Sequence, residues 1–287
     1  MSRNQDRIGA LASESSVVPI NSPIQPQSEI SFGIPTEYVE LPSRGKYYPN
    51  DHPLYGQEKI EIRFMTAAHE NILTSNSYIE EGVALEKLLT ALIVDSRIDS
   101  KSILSKDRDA IFLAARRTNI DHEYHRKIFC PACHKMVQSI YDLNQAFIEP
   151  EPEFSKLNIE ITDKNTFIFK LPRSGLVVEL RLLTGYDEDY IANTTKMRKK
   201  NNLPEAKVTI FLERIILSID GKTDPNYINL CINERITSFD SKYIRNVYKL
   251  VSPSLNTTQK FVCSNCKYEQ DMEVSFSVDF FWPEQWI

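Results

Sequence analysis

Glycine is scarce in this chain, with only 8 among 287 residues. The glycines form neither the G-x-G-x-x-G turn of dinucleotide sites nor the loop ending in Gly-Lys-Ser/Thr that surrounds phosphates. His122 and His125 are three positions apart, whereas the helical metalloprotease motif needs its two histidines four apart. Because every organised catalytic motif is missing, we expect that the chain is not an enzyme.

Long apolar runs and an excess of positive charge are also missing. No stretch approaches the ~18 consecutive apolar residues that a membrane span needs. Residues 1–15 are polar and of mixed charge, unlike a signal peptide. The net charge of -5 argues against a protein whose main work is neutralising nucleic-acid phosphates. These absences predict a cytoplasmic protein without a membrane span, and they disfavour nucleic acid as its partner.

The chain divides into an arm and two similar halves. Residues 1–34 are rich in Ser, Pro, Gln and Asn and show no helical or strand period, so we expect a flexible N-terminal arm. We assign residues 35–148 to a first repeat, 149–165 to a linker and 166–287 to a second repeat. The 41% hydrophobic and 25% charged content suits a globular protein of this size.

The two halves show the same order of predicted elements. Each opens with a Leu-Pro turn, at 41–45 and 171–175, and continues with a strand of alternating apolar and charged residues, at 60–66 and 178–184. A threonine placed to cap a helix ends each strand. Apolar positions at helical spacing then predict core-facing helices, formed by Leu85, Leu88, Leu89, Leu92 and Ile93 in the first half, and by Val208, Phe211, Leu212, Ile215, Ile216 and Ile219 in the second.

A third helix in each half is predicted to begin at an N-cap aspartate, Asp107 or Asp240. From Asp107 to Ile140 the first half aligns with the second without a gap, and both cysteine pairs coincide. Residues 46–57 are an insertion in the first half that we expect to form a surface loop. The pattern predicts an α+β fold made of two diverged repeats of a strand–helices–cysteine-hairpin unit, related by a pseudo-twofold axis.

Two Cys-x-x-Cys motifs, at 130–133 and 263–266, each lie between β-like segments, as in a zinc knuckle. A structural zinc takes four ligands and each motif offers two. We therefore predict one zinc ion shared between the halves and bound by Cys130, Cys133, Cys263 and Cys266. Metal-free hairpins and redox-active thiols remain alternatives, and His134 is a candidate to replace a missing ligand. Cys231 has no counterpart and is predicted to be a buried apolar thiol.

Two surface features suggest protein partners. The basic run 196–200 is by default a solvated helix end, and its sharper interpretation is contact with an acidic protein surface. Aromatic residues are concentrated in the insertion and at the C-terminal end, where they can serve as interface anchors or fold back over the core. The candidate partner-binding residues are Tyr47, Tyr48, Phe281, Trp282 and Trp286.

Several of these segments together resemble one protein family. The stretch 38–49 (Tyr-Val-Glu-Leu-Pro-Ser-Arg-Gly-Lys-Tyr-Tyr-Pro), the segments 62–67 and 88–95, and the knuckle that begins Cys130-Pro131 are similar to the baseplate hub proteins of T-even-type contractile-tailed bacteriophages. The resemblance extends from about residue 37 to residue 278 and is strongest in the first repeat.

The resemblance implies a late phage tail protein that helps to build the baseplate hub, as a subunit or as an assembly factor. Its partners would be other hub proteins, met in the host cytoplasm during assembly or in the virion, and no catalytic residue is carried over. Many knuckles have glycine after the second cysteine, whereas this chain has His134 and Lys267 there.

Two other classes of function remain as alternatives. The first is a nucleic-acid-binding zinc-ribbon protein, which would show salt-sensitive binding. The second is an unrecognised enzyme, which would need a polar cleft where several titratable groups converge.

Overall fold

The computed structural model describes residues 33–281, and from Ile34 onward they belong to one compact unit. The strands in this range are β1 (Thr36–Glu40), β2 (Lys59–Arg63), β3 (Glu123–Phe129), β4 (Met136–Asp142), β5 (Phe147–Ile148), β6 (Glu160–Ile161), β7 (Phe167–Lys170), β8 (Val177–Leu180), β9 (Ile216–Ile219), β10 (Leu255–Asn256), β11 (Gln259–Val262) and β12 (Glu269–Met272). The α-helices are α1 (Ala67–Leu73), α2 (Asn76–Glu81), α3 (Ala84–Leu92), α4 (Ser105–Asn119), α5 (Gly185–Lys200), α6 (Lys207–Ile215), α7 (Pro225–Glu234), α8 (Ser238–Val251) and α9 (Val278–Phe281). Short 3-10 helices lie at Ser100–Ser102, Leu143–Gln145 and Phe154–Leu157.

This mixture of helices and strands confirms the predicted α+β class. Most of the predicted arm, residues 1–32, lies outside the described residues. The predicted linker, 149–165, contains a short 3-10 helix and strand β6. The predicted domain borders remain predictions.

The strands form small antiparallel sheets. Strands β1 and β2 pair, β3 pairs with β4, β11 pairs with β12, and β5 pairs with β10. Strands β6, β7, β8 and β9 form a four-stranded sheet in that order. The two strands predicted from alternation are present as β2 and β8, and each cysteine motif connects the strands of one hairpin.

The two helix-capping threonines are confirmed. Thr66 begins α1 and Thr184 begins α5, both in extended backbone. Each forms a reciprocal pair of hydrogen bonds with the third helical residue, His69 in α1 and Asp187 in α5. This capping box satisfies two backbone donors that a helix start leaves free.

The second predicted amphipathic helix is too long. Helix α6 ends at Ile215, and the following residues form β9, where Ile216 pairs with Leu180 and Ile219 with Val178. A run of apolar, largely β-branched residues fits a strand as well as a helix stripe, and pairing with β8 decides the outcome. The first predicted stripe is correct for Leu88, Leu89 and Leu92, which are buried in α3, but Ile93 lies beyond the helix in extended backbone and bridges to Ile62.

Asp107 and Asp240 are not N-caps, which corrects the prediction. Helix α4 is capped by Leu104 and α8 by Thr237, so each aspartate lies one turn further into its helix. From there the carboxylate accepts hydrogen bonds from the Leu-Pro turn of its own half. Asp107 accepts from Ser43 N at 2.9 Å and from Ser43 Oγ at 2.6 Å.

Asp240 makes the corresponding contacts in the second half. It accepts hydrogen bonds from the backbone N–H groups of Arg173 and Ser174, each at 3.0 Å. A buried carboxylate is stable only where donors converge on it. Each aspartate therefore joins the turn that opens its half to the helix that leads into the cysteine hairpin.

The insertion 46–57 is more than a surface loop. Tyr48 and Leu54 are buried in it, and Tyr48 Oη donates to Asp107 Oδ2 at 2.7 Å while accepting from Leu104 N at 3.1 Å. Apolar side chains attach the loop to the core. Cys231 is fully buried on α7, as predicted.

Candidate metal centre

Four cysteine sulfurs come together where the two hairpins meet. Cys130 Sγ lies 3.7 Å from Cys266 Sγ, and Cys133 Sγ lies 3.8 Å from Cys263 Sγ. All four sulfurs lie within 4.8 Å of one another and can hold a metal ion. The sequence prediction that both motifs converge on one point is confirmed.

Each motif is a tight turn closed by backbone hydrogen bonds. In the first, Cys130 N donates to Lys135 O at 2.9 Å and His134 N donates to Cys130 O at 2.9 Å. In the second, Cys263 N donates to Tyr268 O at 2.8 Å and Lys267 N donates to Cys263 O at 3.0 Å. Both turns thereby aim their sulfurs at one point.

The residue after the second cysteine adopts left-handed backbone in both turns. His134 has φ 55° and Lys267 has φ 61°, the region that favours glycine. The geometry that glycine usually serves is therefore present with other residues in its place. His134 is not among the group of described residues that can hold the ion, and its ring packs 5.7 Å from that of Phe129.

Backbone amides favour the ionised form of some of these thiols. The N–H of Lys135 lowers the pKa of Cys133, and the N–H of Cys266 lowers the pKa of Cys263 to about 6. For Cys266 the N–H of Tyr268 acts in the same direction, but burial and three neighbouring thiols raise its pKa to about 12. Four thiolates this close repel each other, so a cation is needed to ionise all of them.

The predicted partner-binding aromatics have different surroundings. Tyr47 is half-buried, and burial raises the pKa of its hydroxyl together with the contact that this hydroxyl makes with Glu151. Tyr48 and Phe281 are buried within the chain, so neither is exposed as an anchor. For Phe281 this fits the alternative that the terminal aromatics fold back over the core. Trp282 and Trp286 lie outside the described residues. Their role, and that of Tyr47, in binding a partner remains a prediction.

The basic run forms the last turn of α5. Arg198, Lys199 and Lys200 end that helix, and Met197 beside them is largely exposed. Cations at a helix C-terminus are stabilised by the helix dipole, so the solvated helix end accounts for this run.

Within residues 33–281, no helix is long and apolar enough to cross a membrane. No curated protein and no solved structure matches the chain. Residues 35–282 match the family model described as T4 bacteriophage base plate protein. That range includes both hairpins and all four clustered cysteines. The chain belongs to the T4 bacteriophage base plate protein family.

Proposed function

We propose that this baseplate protein acts in the central hub of the phage tail, as a structural subunit or as an assembly factor, and that it works by protein contacts. Membership of the base plate family supports a structural role, and other baseplate proteins are the partners that follow from it. The hub is the narrower part of the proposal and rests on the resemblance of segments 38–49 and 62–67.

We also propose that the ion is zinc and that its role is structural. Thiolates about 2.3 Å from a tetrahedral zinc lie about 3.8 Å from one another. The distances across the site, 3.7 Å and 3.8 Å, fit that geometry. Four cysteines leave no coordination position for water or substrate, as in structural rather than catalytic zinc sites. When bound, the ion would neutralise the thiolates and fix the hairpins together.

The two halves are best explained as diverged copies related by an approximate twofold axis. The close sulfur pairs support this, because the first cysteine of each motif faces the second cysteine of the other. The strands support it too, since Ile62 of β2 bridges to Ile93 much as Leu180 of β8 pairs with Ile216. The equivalent turn contacts of Asp107 and Asp240 are a third point of agreement.

The metal content of the purified full-length protein tests the zinc proposal. We expect about one zinc per chain, retained on dilution and lost with a strong chelator. Zero zinc after purification without chelator would overturn the proposal, and one-half would place the ion between two chains. The variant Cys231→Ala is the matched control, because its thiol is buried away from the cluster.

Complementation of a phage lacking the gene tests the hub proposal. The double variant Cys130→Ser and Cys263→Ser should fail to support tail assembly, whereas Cys231→Ala should support it. Infected cells without the protein should accumulate tail parts that lack a complete baseplate. Normal baseplates in its absence would contradict the proposal, and mass spectrometry of purified tails would separate a retained subunit from an assembly factor.

A further inference from the structure

Strand β1 has an open edge within the described residues. Leu41 N donates to Glu58 O at 2.8 Å, and in this register the N–H and C=O groups of Val39 also point toward β2. Those of Tyr38 and Glu40 therefore point away from β2. No described residue hydrogen-bonds to them, so two strand positions offer backbone groups without a partner.

The second half covers the corresponding edge with a strand. Tyr38 and Ile168 each lie three residues before the leucine of a Leu-Pro turn. In β7, Ile168 pairs with Glu160 of β6, on the side away from β8. The four-stranded sheet thus has a strand at the position that is open beside β1. This difference between two otherwise similar units indicates where a further strand fits.

A groove runs along the open edge of β1. Its cavity volume is about 750 Å³, within the range of ligand sites. Side chains of α4, among them Leu113 and Ala114, line it together with Phe147 and Ile148 of β5. The ring of Tyr38 beside the groove is 68% exposed. The exposed lining of the groove is more polar than apolar, and Phe147, 55% exposed, supplies apolar surface next to the unpaired backbone groups. Backbone pairing with one apolar contact beside it is a combination that binds an extended peptide.

Two exposed arginines mark the ends of this groove. Arg44 lies in the turn that follows β1, and Arg117 lies in the last turn of α4. The hydrogen bond from Thr118 Oγ1 to Glu37 Oε2 brings that last turn to the start of β1. Neither guanidinium makes a hydrogen bond or ion pair with a described residue. Burial opposes the lowering of the Glu151 pKa, whereas Lys46, Tyr47 and the charge of Arg44 favour it, so Arg117 is the clearer site for an incoming carboxylate.

We propose that β1 binds an extended segment of a partner protein, which adds as an antiparallel strand along this groove. The length of β1 suits a segment of about five residues with alternating apolar and polar side chains. Acidic residues at its two ends match Arg44 and Arg117. Only one part of this proposal, that the partner is a baseplate protein, rests on the proposed assembly role.

A synthetic peptide tests the surface directly. The probe is a fluorescent seven-residue peptide in which threonine and valine alternate between terminal aspartates, and its binding to the full-length protein is followed by anisotropy. The variant Tyr38→Pro removes the outward N–H but no bond to β2, and proline is tolerated at strand edges. The matched variant Tyr38→Ala removes the ring and keeps the N–H. Zinc content and unfolding temperature confirm that both variants fold.

We expect Tyr38→Pro to weaken binding about tenfold, as the loss of one backbone hydrogen bond predicts, and Tyr38→Ala to weaken it less. Equal affinity of Tyr38→Pro and the natural protein would overturn the proposal. If the proline variant fails to fold, peptides N-methylated on all threonines or on all valines replace it. At least one of them should bind tenfold more weakly, and two unimpaired peptides would overturn the proposal.

Charge and hydrogen exchange provide two further readouts. Arg117→Glu should weaken the binding of the aspartate-ended peptide and strengthen the binding of a lysine-ended one. Equal effects on the binding of both peptides would contradict the proposed acidic ends of the segment. The amide of Tyr38 should exchange rapidly in the free protein and slowly with peptide bound. Protection already in the free protein would show that the edge is covered without a partner. Each of these failures would leave the hub proposal intact, since complementation with the cysteine variants tests that separately.

Discussion

Removing the metal from the four-cysteine cluster should lower the thermal stability of the whole chain. The ion would connect residues 130 positions apart in sequence, Cys133 and Cys263. A cross-link that closes a loop of this length restricts the unfolded chain by about 5 kcal/mol in the chain-entropy model. For a domain of this size each kcal/mol changes the melting temperature by about 2–3 °C. We therefore expect a loss of roughly 10 °C on metal removal.

Differential scanning calorimetry of the full-length protein measures this loss. The natural protein with and without chelator is compared with the double variant Cys130→Ser and Cys263→Ser, which should melt at the same temperature as the chelated protein. Cys231→Ala should lose at most a few degrees from its small cavity and keep its sensitivity to chelator. A melting temperature unchanged by chelator in the natural protein would refute the proposed cross-link between the halves.

Three further predictions concern residues around the site. Asp240→Ala leaves the N–H groups of Arg173 and Ser174 without an acceptor and should lower the free energy of unfolding in urea by about 2–4 kcal/mol. An alanine substitution at an exposed position, the control, should change it little. Burial raises the pKa of Asp187, but two arginines and a backbone N–H lower it to about 2, so its stabilisation is present above about pH 4 and is lost toward pH 2. The difference in unfolding midpoint between the natural protein and Asp187→Asn should shrink over that range, and a constant difference would contradict the assignment. Lys267→Val places a β-branched residue in left-handed backbone and should weaken zinc binding about tenfold in chelator competition, whereas Lys267→Gly should retain it.

The cysteine cluster could be predicted from sequence because its signal is local and repeated. Two residues between paired cysteines, flanked on both sides by β-like segments, predict a tight turn. The gap-free alignment from Asp107 to Ile140 then places both turns at equivalent positions in similar units. Ligand number supplies the last step, since two pairs make one complete set. None of these steps requires knowledge of how distant side chains pack.

Other features could not be predicted because they depend on pairing across the chain. The helical spacing of Ile216 and Ile219 does not indicate that both residues pair with β8 in a sheet. Its residue type predicts Asp107 at a helix start, while its actual partners, Ser43 and Tyr48, are far away in sequence. Such contacts depend on long-range geometry, which a single sequence does not contain.

The two halves are also joined away from the cysteines, by the pairing of β5 with β10 and by contacts at the end of the second half. Arg116 of α4 is buried and donates to the carbonyl of Phe280 at 2.6 Å, and its guanidinium stacks 5.0 Å from the ring of Tyr124. Phe281 packs edge-on against Phe112, 5.9 Å between ring centroids. The end of the second half is thus buried in the first half without any metal.

Because these contacts do not involve the cysteines, loss of zinc should loosen the hairpins before it separates the halves. Chelated protein at low temperature should then keep its core near Arg116 while the amides of β11 and β12 exchange faster. If so, the ion does more than add stability. It would hold the two hairpins in one orientation, which the proposed role of making contacts with other baseplate proteins favours.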